Sequence, residues 1–535
     1  MRGRKRVLAG AAATAVLVVA GSASGAQLAM GDQADDALDQ FEQQKIDWHR
    51  CKSGGKDEIG KQLEKVKAKC AEITVPLNYR KPQGRTVKVS IARRAATDKA
   101  HKLGTLVINT GGPGESKSGI NWVVGGFPPY IPKGSPKVAS RYDLVSLDPR
   151  FMASSRGTVL ECGWTNRITN TSTFVGPDRR SFKRSVALNK DMAARCAKHQ
   201  KVLPHLSTRN IARDMDVVRA ALGEKKLSYL GWSYGGYLGA VYSQMFPGRL
   251  GRTVLDSSPD PHTWGPASDR ENAPVQAKEL RKWAAWASRY DDRYHLGTTT
   301  ARVLATFDHY RQVADKDRTL RIGRHRINAN NLRSLGIGPD PDDPTSYKRA
   351  TSLLKMFLDA ARGKEVKPTK EQDQFLAQTL SNEVATEASA SAATLCADRA
   401  VSRDPETNYR DIQAHYADDG FYGPPNRNVT PCTFWPAGPA EPSTKVHNNV
   451  PALVVGSTED STTPYSGQLA MHRALTGSRM VTQKGSGGHV TYLAYHGAPC
   501  VDTTVDRYLL GGDLPAKDIT CTKDKPSTHK KAEGN

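Results

Sequence analysis

Beyond its first residues the chain has no apolar run long enough to cross a bilayer. None of its eight cysteines stands in a C-x-x-C pair, which argues against a zinc site or a dithiol redox motif. Its glycine-rich stretches lack the Gly-Lys-Ser/Thr ending of a phosphate-cradling loop, which argues against a nucleotide site. No zinc-finger or RNA-recognition signature accompanies the basic residues, and no internal repeat is present. Acidic residues are the minority charge, 54 against 77 Lys and Arg.

What is present is a 535-residue chain, 38% hydrophobic and 7% aromatic, which is globular in character and long enough for two or more domains. Residues 1–26 read as a secretory signal peptide. Arg2, Arg4, Lys5 and Arg6 precede an apolar run from Val7 to Ala20 and then small residues to Ala26. The formal charge of +23 becomes +19 when those four cations are set aside. The remaining basic residues are scattered (Lys81, Arg93, Arg179, Arg321), so the excess reads as a solvated surface and no nucleic-acid partner is expected. An even cysteine count in an exported chain favours disulfides. Nearest-neighbour pairing, 51–70, 162–196, 396–432 and 500–521, is the expected arrangement out of 105 possibilities.

Residues 27–45 are polar and acidic and read as a pro-segment or linker, with order beginning near Ile46. Residues 73–77 and 87–91 alternate as half-buried strands do. More continuous apolar runs follow at 104–108, 142–147, 227–230 and 252–255, with a helical pattern at 210–222. After Pro259 the texture turns helical (273–290, 299–314, 346–362), and strand texture returns only at Val450. Strands at 451–456 and 479–483 and helices at 466–475 and 501–510 complete the pattern. Alternating strands and helices imply a mostly parallel sheet with helices on both faces. The expected organisation is a core over 46–260 and 446–521, interrupted by an all-helical insertion over 261–445 and followed by a polar tail, 522–535.

The chemistry centres on Gly231-Trp-Ser233-Tyr-Gly235, between a strand and a helix of small residues. That is the context of a nucleophile elbow, in which a strained turn exposes the serine and aims the following N–H, of Tyr234, at the same point. A serine hydroxyl needs a base, itself oriented by a carboxylate, and in such sheets the chain order is Ser, acid, His. Asp460 lies in the loop after the strand 451–456, with Glu459 as its immediate rival. His489 follows the next strand in a glycine-rich turn, Gly485-Ser-Gly-Gly-His489. A second oxyanion donor is expected from an earlier loop, and Gly112 in Asn109-Thr-Gly-Gly-Pro-Gly114 is the candidate.

Together Asn-x-Gly-Gly-Pro-Gly, Asp148-Pro-Arg150, Asp214-Met-Asp216, Gly-Trp-Ser-Tyr-Gly, Asp460-x-x-Thr-Pro464 and Gly-Gly-His489 resemble the secreted tripeptidyl aminopeptidases of actinomycetes, α/β-hydrolase-fold serine exopeptidases related to proline iminopeptidases. The resemblance implies a triad of Ser233, Asp460 and His489, an oxyanion hole of Gly112 and Tyr234, and a lid built by the helical insertion. It also implies peptide substrates with a free amino end, an extracellular location, and no metal or other cofactor. A monomer is expected. Two positions depart from the family pattern, which has glycine where Glu115 and Phe151 stand, and both are expected at the cleft mouth. Recognition of an α-ammonium group calls for a partly buried carboxylate, and Glu115, Glu383, Glu387 and Asp398 are candidates. An esterase or single-residue aminopeptidase of the same fold is the alternative. A non-catalytic cell-wall binding protein is a third reading.

Overall fold

The computed structural model describes residues 37–55, 57–126, 133–152, 157–172, 176–315, 319–327, 344–382, 384–493 and 498–522. The expected signal peptide lies outside these residues, as do Glu383 and nearly all of the polar stretch 522–535.

Nine strands form one sheet. They are β1 (Lys69–Pro76), β2 (Thr86–Arg94), β3 (Thr105–Asn109), β4 (Asp143–Leu147), β5 (Leu227–Trp232), β6 (Leu250–Asp256), β9 (Leu453–Ser457), β10 (Arg479–Lys484) and β11 (Ile519–Thr522); β7 and β8 belong to the insertion described below. Their spatial order is β1-β2-β4-β3-β5-β6-β9-β10-β11. β2 pairs antiparallel with both β1 and β4, and the remaining ladders are parallel. β3, β4 and β5 are buried at every position, which is why they read as unbroken apolar runs rather than as alternating strands.

Successive residues of each strand feed opposite cores. Val107, Val145 and Tyr229 pack with Ile211, Met215 and the elbow helix Tyr234–Met245 on one face. Leu106, Leu144, Leu230 and Trp232 pack with Ile120, Val138, Val501 and Leu509 on the other. All four expected disulfides are present: Cys51–Cys70, Cys162–Cys196, Cys396–Cys432 and Cys500–Cys521.

The described part of 27–45 is not a linker. Residues 37–42 are helical, Phe41 is buried in the main core, and the Gln44 amide pairs with both the N–H and the C=O of Thr74 at 2.9 Å. Gln44 thereby satisfies part of the free edge of β1, which would otherwise offer unpaired backbone groups.

The insertion has its own apolar core around Trp283, Phe307, Leu354 and Phe357. It is not all helical. β7 (Leu320–Ile322) and β8 (His325–Ile327) form an antiparallel hairpin across Gly323 (φ 53°) and Arg324. Leu320, Ile322 and Ile327 point into that core while Arg321 and Arg326 point out. Three-residue strands give too short an alternation to stand out against helical neighbours. The edge strand β11 went unread for a similar reason, since its sequence is ITCT and only Cys521 is buried.

Candidate active site

β5 runs into Ser233, and the helix Tyr234–Met245 leaves from it. Ser233 adopts φ 58° and ψ −125°, a conformation that L residues rarely hold. The two flanking glycines are required by contact. A Cβ on Gly231 would lie 2.4 Å from the Gly235 carbonyl, and one on Gly235 would lie 2.6 Å from the Asn109 oxygen. The Ser233 N–H donates to the Asp256 carbonyl at 2.8 Å, tying the turn to the end of β6.

The loop after β3 lies directly against this turn. A Cβ on Gly111 would meet the Trp232 carbonyl at 2.7 Å and the Ser233 Cβ at 2.8 Å. The Gly111 N–H is held by Asn109 Oδ1 at 3.0 Å, and the next residue, Gly112, is exposed. Among the described residues no hydrogen bond reaches the backbone N–H of Gly112 or of Tyr234. The Tyr234 side chain itself is buried against Trp264 and shares a 3.0 Å hydrogen bond with Thr208 Oγ1.

Asp460 follows β9 and is fully buried. Its Oδ1 accepts the N–H groups of Thr462 (2.8 Å) and Thr463 (2.9 Å). Its Oδ2 lies 2.9 Å from His489 Nδ1 and also accepts from Gln468 Nε2 at 3.1 Å. Glu459, the rival carboxylate, turns the other way and pairs with Lys282 on the insertion helix Asn272–Ala287. Burial opposes a charged His489 imidazole. The charge and hydrogen bond of Asp460, with Asp256 behind it, outweigh that and raise its pKa above the ordinary histidine value. No described hydrogen bond joins Ser233 to His489. In related chemistry such bonds are often long until substrate tightens the site.

Sequence reasoning overlooked Asp256. This buried carboxylate at the end of β6 accepts from Thr491 N–H (3.0 Å), Tyr492 N–H (2.7 Å) and Ser257 Oγ (2.9 Å). Ser257 Oγ in turn accepts the Val490 N–H at 3.0 Å. The pair thus fixes the segment that follows His489. Burial pushes the Asp256 pKa up to about 6, against the opposing hydrogen bonds from Tyr492, Ser257 and Thr491. An acid closing an apolar strand beside the elbow strand was the available signal.

Of the candidate ammonium-binding residues, Glu115 is half-buried at the loop, with its carboxylate accepting the Ser118 N–H at 2.9 Å. Burial, reinforced by the nearby Asp148 charge, pushes its pKa up to about 8. Asp398 is corrected. Its oxygens are taken by Thr208 N–H (2.6 Å), Thr208 Oγ1 (2.6 Å) and Trp264 Nε1 (2.9 Å), and it is buried. With both oxygens engaged it is part of the framework. Phe151 is also corrected. Only 3% exposed and packed in the main core, it does not line the mouth. Its φ of 64° shows why glycine suits this position in the family pattern. The neighbouring Arg150 is fully buried, pairs with both oxygens of Asp214 and caps the carbonyls of Pro76, Leu77 and His205.

Ser233, Asp256–Ser257, Asp460 and His489 therefore follow four adjacent parallel strands at one edge of the sheet, β5, β6, β9 and β10. That is the carboxyl edge, where such sheets place their chemistry. The arrangement is that of an α/β-hydrolase. The comparisons agree. Residues 423–521 match the family model described as TAP-like protein. The chain is 31% identical over 497 residues to the tripeptidyl aminopeptidase of Streptomyces coelicolor, covering 89% of this chain and 86% of that one. It is 28% identical to the serine protease Hip1 of Mycobacterium tuberculosis, covering 89% and 91%. It is 25% identical to a carboxylesterase B from the same species, covering 89% and 89%. The chain belongs to the tripeptidyl aminopeptidase family and is a serine peptidase of the α/β-hydrolase fold. Among the described residues no helix is long and apolar enough to cross a membrane.

Proposed function

We propose that the protein is an exported exopeptidase that releases tripeptides from free amino ends of peptides through an acyl-enzyme on Ser233. The observation that carries this reading is the 2.9 Å hydrogen bond between fully buried Asp460 and His489, at the same sheet edge as a strained Ser233. His489 Nδ1, held by Asp460, leaves Nε2 as the base. Nε2 removes the Ser233 proton as Oγ attacks the scissile carbonyl, and the N–H groups of Gly112 and Tyr234 receive the oxyanion. The imidazolium then protonates the leaving amine, and the same base activates water to cleave the ester. Every proton taken is returned, so the scheme calls for no cofactor.

Tripeptide length rests on family membership, and export rests on the signal-like start together with the four disulfides. The test is incubation with a mixture of peptides, free or acetylated at the amino end, followed by mass spectrometry of the products. Release of three-residue fragments from the free peptides alone is expected. Equal cleavage of acetylated peptides would overturn the aminopeptidase reading, and cleavage of simple esters without peptides would favour the esterase.

A further inference from the structure

The loop that carries Gly112 is tied down at its flanks from within the hydrolase core. Gly111 N–H is held by Asn109 Oδ1 at 3.0 Å, and Thr110 Oγ1 donates to the Glu115 carbonyl at 2.9 Å. Ser116 N–H is held by Asp148 Oδ1 at 3.0 Å. The crown between, Gly112 to Gly114, is braced differently. Glu387 Oε1 accepts the Glu115 N–H at 2.8 Å, and a Cβ on Gly114 would lie 1.9 Å from that same oxygen. Glu387 belongs to the insertion, in the first turn of the helix Thr386–Asp398. It is an exposed side chain, so core packing does not explain its position.

The helix that bears Glu387 is fixed to the core at both ends. Just before its start, Ala385 N–H donates to the Trp164 carbonyl at 2.8 Å. At its end Asp398 accepts both the N–H and the hydroxyl of Thr208 in the core, at 2.6 Å each. Glu387 therefore projects from a fixed platform rather than from a free surface helix. At the far end of the crown, Gly111 lies against Ser233. Gly111 and Gly114 are separated by three Cα steps, at most about 11 Å. One hydrogen bond from the insertion therefore acts within one short turn of the nucleophile.

We infer that Glu387 is a positioning residue. Its hydrogen bond to the Glu115 N–H holds the Gly112–Gly114 crown so that the Gly112 N–H faces Ser233, and the insertion thereby completes the oxyanion hole. This rests on the assignment of Ser233 and Gly112 proposed above.

The test compares Glu387→Ala and Glu387→Gln with wild type on a free-amine tripeptide anilide, reading kcat and KM separately. Losing an oxyanion donor outright costs roughly 10²–10³ in kcat. An indirect loss through the loop should cost about tenfold in kcat, with KM changed less than about twofold. Gln keeps a carbonyl oxygen able to accept the Glu115 N–H, so Glu387→Gln should stay within about threefold of wild type. Full kcat in Glu387→Ala, or equal impairment of both variants, would overturn the inference. So would a rise in KM for Glu387→Gln with kcat unchanged, because that pattern marks a charge anchoring the α-ammonium. Ser233→Ala run alongside separates the failures. If that variant stays active, the assignment of the site itself is wrong. If it is dead while Glu387→Ala is fully active, only the role of Glu387 is wrong.

Discussion

Asp460→Asn is the substitution for which the structure makes the sharpest forecast. Oδ1 of Asp460 takes two backbone N–H groups, and an Asn carbonyl oxygen can keep both, so the loop should hold its shape. The difference falls on the other side. Oδ2 faces only donors, namely His489 Nδ1, Gln468 Nε2 and the Thr463 hydroxyl (2.8 Å). An NH₂ group there would donate to His489 Nδ1 and drive the imidazole proton to Nε2, the atom that must act as base. The attraction between Asp460 and the imidazolium is lost as well. A unit pair at about 4 Å is worth about 4 kcal/mol at an effective dielectric of 20, or about 10³ in rate. With the tautomer penalty added, kcat/KM should fall by roughly 10³–10⁴. The pH profile should move too. Neutral His489 is the active form, so activity is lost as pH falls through its raised pKa. In Asp460→Asn burial still lowers that pKa while the main opposing charge is gone, so the residual acid limb should shift to lower pH. The assay is kcat/KM against pH on a free-amine tripeptide anilide. A loss under tenfold, or an unmoved acid limb, would refute the role given to Asp460. Glu459→Gln is the matched control and should stay within about threefold, since Glu459 faces Lys282 and a surface-type pair contributes about 1 kcal/mol or less.

Phe151→Gly should destabilise the protein although it restores the family glycine: relief of the left-handed backbone is worth about 1–2 kcal/mol, whereas emptying a buried Phe site costs about 3–5 kcal/mol. Chemical denaturation measures the net loss of about 1–4 kcal/mol expected from those terms, and unchanged or increased stability would contradict the packing described. Asp398→Asn should lower the melting temperature through its lost contacts with Thr208 and Trp264, while leaving KM for free-amine substrates within about twofold. A selective rise in that KM would return Asp398 to the ammonium site. Replacing Cys162 and Cys196 together by Ser opens a bridge with a sequence separation of 34 and should cost about 3–4 kcal/mol on the chain-entropy model, measured by denaturation under non-reducing conditions.

The core strands and the three residues of the candidate triad were legible because each carries a local signature. Buried parallel strands are continuous apolar runs, and the elbow and the Gly-Gly-His489 turn are short glycine patterns at strand ends. The disulfides follow the nearest-neighbour expectation, although eight cysteines left 105 pairings open to the sequence. What escaped depends on contacts between distant segments. Gln44 on Thr74, Asp256 on the Thr491 N–H, and Glu387 on the Glu115 N–H join residues 30, 235 and 272 positions apart, and none has a local pattern. Asp398 and Phe151 were misplaced for the converse reason. A carboxylate in an insertion looks available until Thr208 and Trp264 are seen to occupy it, and a bulky residue in a glycine position looks exposed until its side chain is found in the core.

The most direct test is to incubate a free-amine decapeptide with wild type and with Ser233→Ala and to follow the products by mass spectrometry. The account predicts successive three-residue fragments from the amino end with wild type and none with Ser233→Ala at equal folded concentration. Tripeptide release that survives loss of the Ser233 hydroxyl would contradict it.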